Sequence, residues 1–132
     1  MERRINCTVL TPEGQVYKGD IDFAVVPALK GGMGFLYNHA PLIAELTLGE
    51  VRLLNGNDTE YMAVEGGFVE IKENELSIFP SKVFKKSDLF KEDIEKEIKR
   101  LRELKEHADF VEKDKIMKDI YNLKIKLRVA SR

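Results

Sequence analysis

Two hydrophobic periods divide this chain. Up to about residue 84, apolar positions alternate with polar ones or form short runs; beyond residue 86 they recur every three or four residues. Residues 5–10, INCTVL, are rich in β-formers and predict a strand. Thr11-Pro12-Glu13-Gly14 is turn chemistry, with Pro at the second position and Gly at the end. Gln15 to Tyr17 opens a second strand, interrupted at Gly19-Asp20. Ile21, Phe23 and Val25 alternate with Asp22 and Ala24, predicting a half-buried strand that Pro27 closes.

The stretch from Gly31 to Leu46, GGMGFLYNHAPLIAEL, reads as a glycine loop and a tight corner. Phe35-Leu36-Tyr37 and Leu42-Ile43-Ala44 are the short strands on either side of that corner. Leu46, Leu48, Val51, Leu53 and Leu54 bracket a turn at Gly49-Glu50. Asn55-Gly56-Asn57-Asp58 is a hairpin signal, because Asn-Gly tolerates positive φ, and Tyr61 to Val64 pairs back. Gly66-Gly67 interrupts a strand-like run, as a bulge, a close backbone contact or a simple bend. Phe68 to Lys72 alternates again, Glu73-Asn74-Glu75 turns the chain, and Leu76 to Phe79 is the last strand before Pro80. Roughly eight to ten strands, with a turn signal about every eight to twelve residues, predict an antiparallel sandwich or barrel.

Ser87 or Asp88 then provides a helix cap, and Glu92, Asp93 and Glu95 lie in the early turns, where carboxylates suit the dipole. Phe90, Ile94, Ile98, Leu101, Leu104 and Ala108 form one apolar stripe, with Glu92–Lys96 and Glu95–Lys99 at favourable spacing beside it. The pattern breaks at His107 to Phe110, and a second stripe runs Ile116, Ile120, Leu123, Leu127. These predict an antiparallel helical hairpin. The division expected is a β domain over 1–84 and a helical hairpin over 85–132.

Charge sharpens that division. Residues 1–84 carry 7 Lys/Arg and 12 Asp/Glu, net -5, whereas residues 85–132 carry 15 and 11, net +4. The whole chain, 132 residues and 43% hydrophobic, has enough apolar content for a core. Its one cysteine, Cys7, sits mid-strand as a small hydrophobe and excludes an intramolecular disulfide, in keeping with a reducing compartment. No apolar run approaches the ~20 residues that span a bilayer, and Met1-Glu2-Arg3-Arg4 leads into no signal-peptide core, so a soluble chain is expected.

Catalytic chemistry is sparse. His39 and His107 lie far apart without cysteine or carboxylate at metal-ligand spacing. His39 reads as a structural corner residue, and His107 as a surface residue at a helix end, where it suits the negative pole of the dipole. The glycine loop lacks the phosphate-loop lysine, and no serine sits in a nucleophile elbow. From Ile116 onward Lys118, Lys124, Lys126, Arg128 and Arg132 face a single acid, Asp119. That basic end suits nucleic acid, an anionic membrane or an acidic protein surface, and Tyr121 alone gives no stacking platform for single strands.

Three blocks taken together are specific. They are Thr11-Pro12-Glu13-Gly14 with Val16-Tyr17-Lys18-Gly19, then Gly34 to Leu42 (GFLYNHAPL), then Ala63 to Glu70 (AVEGGFVE), followed by a charged hairpin ending Leu127-Arg128-Val129. In this order, over essentially the whole chain, they resemble the epsilon subunit family of F-type ATP synthases. The resemblance implies a ten-stranded antiparallel β-sandwich followed by two α-helices. It implies a non-catalytic rotor subunit of the central stalk, binding the gamma subunit and resting on the membrane ring of c subunits, at the cytoplasmic face of a bacterial inner membrane. Proton or sodium flow would drive it. The family's ring contact falls on Leu29, Lys30, Gly31, Gly32 and Met33, and the gamma contact on Asn38, His39, Ala40, Pro41 and Leu42. The hairpin would restrain ATP hydrolysis, with Lys118, Lys124, Lys126 and Arg128 meeting acidic residues of the catalytic beta and alpha subunits. Membrane association would come only through the complex, with no nucleic-acid partner.

The departures are informative. Pro27-Ala28 stands where many members have Pro-Gly, and Tyr37 where many have Pro. The ATP-binding motif of some bacterial members, Ile/Leu-Asp-x-x-Arg-Ala, falls on Leu89-Phe90-Lys91-Glu92-Asp93-Ile94. Phe90 replaces its aspartate and Asp93 its arginine, so no cofactor, or only weak nucleotide binding, is expected. The alternative reading is a free-standing β-sandwich module whose basic hairpin docks on nucleic acid or protein. An enzyme ranks behind both.

Overall fold

The computed structural model describes residues 3–132, so Met1 and Glu2 of the N-terminal reading lie outside the described residues. Two compact units follow one another, the first ending at Val83 and the second running Phe84–Arg132.

The first unit is all β. Its strands are β1 (Ile5–Thr11), β2 (Gly14–Ile21), β3 (Phe23–Ala28), β4 (Gly31–Phe35), β5 (Leu42–Glu45), β6 (Gly49–Asn55), β7 (Asp58–Lys72) and β8 (Glu75–Lys85). They pair in the order β2-β1-β8-β7-β6-β3-β4, with β5 added on β7. The class is the one expected, but the strands number eight rather than ten. The difference lies in β7 and β8, which are long and each run through an expected break. The first half of β7 pairs with β6, from Asn55↔Asp58 to Gly49↔Val64. Its second half pairs with β5, from Glu45↔Phe68 to Leu42↔Ile71. The change of partner falls at Gly66 and Gly67, whose φ values are +69° and +104°. Nor is every pairing antiparallel: β1 runs parallel to β8, Asn6↔Glu75 to Val9↔Ile78.

Gly66-Gly67 proves to be a close backbone contact. A Cβ on Gly67 would lie 2.1 Å from the Phe79 carbonyl oxygen, 2.7 Å from Pro80 Cα and 2.9 Å from Ser81 N. The bend in β7 therefore nests against the Pro80 region of β8, with the Phe68 and Phe79 rings 4.9 Å apart beside it. Pro80 consequently sits inside β8 instead of ending it.

Other boundaries moved for similar reasons. β3 continues through Pro27 to Ala28, because that residue is needed as an acceptor: the Thr47 N–H donates to the Pro27 carbonyl at 2.8 Å. Its buried residues are Ala24, Val26 and Ala28, not Phe23 and Val25, while buried Ile21 belongs to β2. The glycine run forms β4, paired with β3 from Ala24↔Phe35 to Ala28↔Gly31. Only Phe35 of the expected Phe35-Leu36-Tyr37 strand is extended within a ladder. Gly49 opens β6 instead of turning it, since a Cβ there would meet Pro27 Cβ at 2.5 Å. β2 runs through Gly19-Asp20 without interruption.

The core follows the alternation of the strands. Ile5, Cys7 and Val9 of β1, Val51 and Leu53 of β6, Met62, Val64, Val69 and Ile71 of β7, and Leu76 and Ile78 of β8 form one buried cluster with Phe35. Burial pushes the Cys7 thiol from its ordinary 9.0 up to about 12.

In the second unit, a 3-10 turn (Lys86–Asp88) precedes α1 (Lys91–Lys105) and α2 (Phe110–Ala130). Asp88 caps that turn, accepting from the Lys85 N–H at 2.9 Å, so the helix itself starts after Phe90. Asp109 caps α2 by accepting from the Glu112 N–H at 2.9 Å. The helices pack through Ile94, Ile98 and Leu101 against Ile116 and Ile120. Phe90 and Leu104, expected in the first stripe, stay 67% and 49% exposed because they lie at the ends of the seam. α2 also buries Ile125 and Val129, a second row off the main stripe.

Gly67→Ala meets both a backbone clash and a positive φ, so it lowers stability by at least ~3 kcal/mol in urea unfolding, whereas Gly32→Ala, with open space around it, changes little. Native chain leaves Cys7 unmodified by a thiol reagent at pH 8, and reacts once unfolded. Because its folded pKa is raised, the thiol's contribution to stability is complete below pH 9 and falls away as pH rises toward 12, more steeply than in Cys7→Ala.

Candidate docking surfaces

The turn joining β3 to β4 consists of Leu29 and Lys30, both exposed, and Leu29 is 61% exposed. Gly31 follows with φ +121°, a conformation that suits glycine. The turn is held from below: the Leu29 N–H donates to the Glu45 carbonyl at 3.1 Å, and Ala28 bridges to Leu46. Gly31 and Gly32 are exposed and Met33 half-buried against the core. The result is an apolar side chain carried outward on a short, hydrogen-bonded turn.

The Asn38 to Leu42 corner lies at the other end of β4. Asn38 has φ +65° and Asn74, in the β7–β8 turn, φ +62°. The two residues grip each other. The Asn38 N–H donates to Asn74 Oδ1 at 2.6 Å, and Asn74 Nδ2 donates to Asn38 Oδ1 at 3.1 Å. The Asn74 carbonyl in turn accepts from the Asn6 N–H at 2.9 Å. His39 is spent on structure: its N–H reaches the Leu36 carbonyl at 3.1 Å, and Nδ1 donates to the Ala40 carbonyl at 2.6 Å. Its ring lies 5.1 Å from buried Phe35. Leu36 and Ile43 flank the corner with 60% and 67% of their surface open, which makes it apolar on both sides. Alternation alone hid these two, because an outward leucine or isoleucine in a short run reads as core.

A third apolar surface was not foreseen. Leu10, Pro12, Phe68, Phe79 and Pro80 line a groove of about 390 Å³ where β7 and β8 bend. The signal available for it was Gly66-Gly67, which sets the bend.

On α2 the four basic residues do not form one stripe. At 3.6 residues per turn, Lys124 and Arg128 share a side, while Lys118 and Lys126 point elsewhere. Lys118 pairs with Asp114 at 3.2 Å, one turn earlier. The Lys126 ammonium lies 4.0 Å from the centre of the Phe84 ring. Lys124 instead joins two cations of α1. With Arg102, Lys105, Met117, Ile120 and Tyr121 it lines a groove of about 290 Å³ between the helices. Arg102 and Lys105 escaped the sequence reading because acids surround them in α1. Arg100 is tied to Glu97 at 2.6 Å, a hydrogen bond that holds the Glu97 carboxyl below its ordinary range. Phe90 and Asp93 occupy the start of α1, where Glu92 and Asp93 give the first turn two negative charges.

Among the described residues, no three His, Cys, Asp or Glu side chains gather to hold a metal ion. No helix among them is long and apolar enough to cross a membrane. A β-sandwich bearing outward apolar turns, followed by an amphipathic helical hairpin with a cationic groove, is the build of a docking subunit. Residues 4–86 match the family described as ATP synthase, Delta/Epsilon chain, beta-sandwich domain, and the chain belongs to that family. An ATP synthase epsilon chain from Leptospira borgpetersenii serovar Hardjo-bovis is 37% identical over 129 residues, covering 98% of this chain and 97% of the relative. Another, from Alkalihalophilus pseudofirmus, is 49% identical over 74 residues, 56% of each chain. A chain of the Euglena gracilis mitochondrial ATP synthase, in a structure of OSCP, F1 and c-ring, shares the fold with TM-score 0.73 at 15% identity, covering 99% of this chain and 79% of that one.

The Asn38–Asn74 grip predicts that Asn74→Ala, which loses the side-chain bonds and keeps a positive φ, lowers stability by about 2 kcal/mol. A double-mutant cycle with Asn38→Ala then shows coupling of at least ~0.5 kcal/mol between the two positions.

Proposed function

We propose that this chain is a non-catalytic central-stalk subunit of an F-type ATP synthase, coupling the gamma subunit to the membrane ring of c subunits. The relative that matches 98% of the chain carries the reading, because its alignment runs through the sandwich and the helical hairpin alike. The chemistry agrees with it: the surfaces offered are apolar turns and cationic grooves. Within the complex the chain is a peripheral component at the cytoplasmic face of the membrane.

The ring contact is assigned to Leu29, Lys30, Gly31, Gly32 and Met33. An exposed leucine on a turn braced by the Glu45 carbonyl gives a contact that resists shear. The gamma contact is assigned to Asn38, His39, Ala40, Pro41 and Leu42, with Leu36 and Ile43 supplying the apolar area that Asn38 and His39, engaged in local hydrogen bonds, do not. The hairpin restrains ATP hydrolysis by presenting Lys118, Lys124, Lys126 and Arg128 to acidic residues of the catalytic subunits. Arg102 and Lys105 extend the cationic groove around Lys124.

The reading is tested by reconstitution. The catalytic head of the same enzyme, stripped of this subunit, receives either the wild-type chain or the variant Lys118→Gln/Lys124→Gln/Arg128→Gln. Both are expected to co-purify with the gamma subunit, and the wild type to slow ATP hydrolysis at least threefold more than the variant, an effect that shrinks with added salt. Failure of the wild type to bind gamma removes the rotor assignment. Equal slowing by both chains removes Lys118, Lys124 and Arg128 from the brake.

A further inference from the structure

The end of α2 is fastened to the segment that leads into α1. Lys126 Nζ lies 4.0 Å from the centre of the Phe84 ring, close enough for the ammonium to be attracted by the ring's negative face. One helical turn and a half further on, the Arg132 carbonyl accepts a hydrogen bond from Lys86 Nζ. A cation at that place also meets the negative end of the α2 dipole. Phe84 and Lys86 flank the entry to the 3-10 turn, and α2 touches that turn. Two contacts of different chemistry therefore close the second unit at the same end.

The seam they close is thin. α1 and α2 bury five residues against each other, Ile94, Ile98, Leu101, Ile116 and Ile120, and the far end of the hairpin leaves Leu104, Phe110 and Val111 exposed. A hairpin with so small an apolar seam depends on its end contacts to stay shut.

We propose that Lys126 changes partner: it sits over the Phe84 ring while the hairpin is closed, and meets a carboxylate of the catalytic subunits once α2 leaves α1. This rests on the brake reading above and adds a control to it. Of the four basic residues assigned to the brake, Lys126 is the one packed over an aromatic ring. Lys124 and Arg128 are exposed on another side, and Lys118 pairs with Asp114 on its own helix. The ring contact thus stabilises the closed state and withholds one charge from the partner. Opening gives up the ring and frees the charge at the same step.

The test uses the full chain with Ile120→Cys as a reporter. Position 120 is buried in the seam, and Cys7 is buried in the sandwich and silent. In this background the thiol-trapping rate measures opening. Phe84→Leu removes the ring and keeps an apolar side chain; Lys126→Gln removes the charge. Both are expected to raise trapping about two- to fivefold, the size of a lost exposed cation–π contact. Without the reporter, the two variants are added to the stripped catalytic head. There they are expected to part: Phe84→Leu deepens inhibition of ATP hydrolysis and Lys126→Gln relieves it. Unchanged trapping in Phe84→Leu overturns the fastening. Raised trapping with both variants inhibiting alike overturns the sharing of Lys126. A wild-type chain that binds gamma and does not inhibit at all removes the brake instead, and leaves raised trapping as the mark of a purely structural fastening.

Discussion

The contact between Gly67 and the Phe79–Ser81 backbone is the constraint on which the sandwich depends. A hairpin as long as β7–β8 would be a flat ribbon with one face in water. Folded over at Gly66-Gly67 and Pro80, it gives β7 two sets of partners, β6 and β5, and lets both halves of the ribbon line one interior. The bend works because neither glycine has a Cβ and because the opposing backbone can approach to van der Waals distance. Pro80 helps from the other strand: it lacks an N–H, so its place in the bend leaves no donor unsatisfied. Met62, Val64, Val69 and Ile71, from both sides of the bend, then share a single core.

Much of this architecture was written in alternation and turn chemistry. Asn55-Gly56, Glu73-Asn74 and Thr11 to Gly14 turn where expected, and the switch of period near residue 86 marks the change from strands to helices. What alternation could not supply was the count and the faces. Pro27 and Pro80 read as strand ends because proline usually ends pairing, yet each sits where only its carbonyl or its shape is used. β3 turned its other face inward because small Ala24 and Ala28 fit a crowded interior, and a small residue carries a weak hydrophobic signal. The exposed apolar patches were harder still. A patch is defined by apolar side chains left outside, and Leu29, Leu36 and Ile43 look in sequence like ordinary core residues. Family resemblance pointed to Leu29 alone of these three, and the geometry gives its turn a brace in the Glu45 carbonyl; Leu36 and Ile43 came from the geometry itself, which leaves both exposed beside the Asn38 corner.

The helical unit is built on a different balance. Its seam is narrow, its surfaces carry charges of both signs, and its end contacts are an aromatic ring and a carbonyl with lysines over them. Such contacts are weak singly and respond to salt, to competing carboxylates and to small changes in sequence. A sandwich core of aliphatic side chains around Phe35 does not respond to salt or to competing carboxylates. One chain thus joins a stiff body to a responsive one, and the charge difference between residues 1–84 and 85–132 follows the same line.

The Asn38–Asn74 grip has a mechanical consequence. β4 carries the Leu29 turn at one end and the corner at the other, and each end is bonded to a second part of the sheet: Leu29 to Glu45, Asn38 to Asn74. A strand of this length spans roughly 17 Å at about 3.3 Å per residue. A load applied at Leu29 would therefore reach the corner along a short, cross-braced strut with little slack. Loosening either brace would store part of each push as elastic deformation, and the two ends would move out of step.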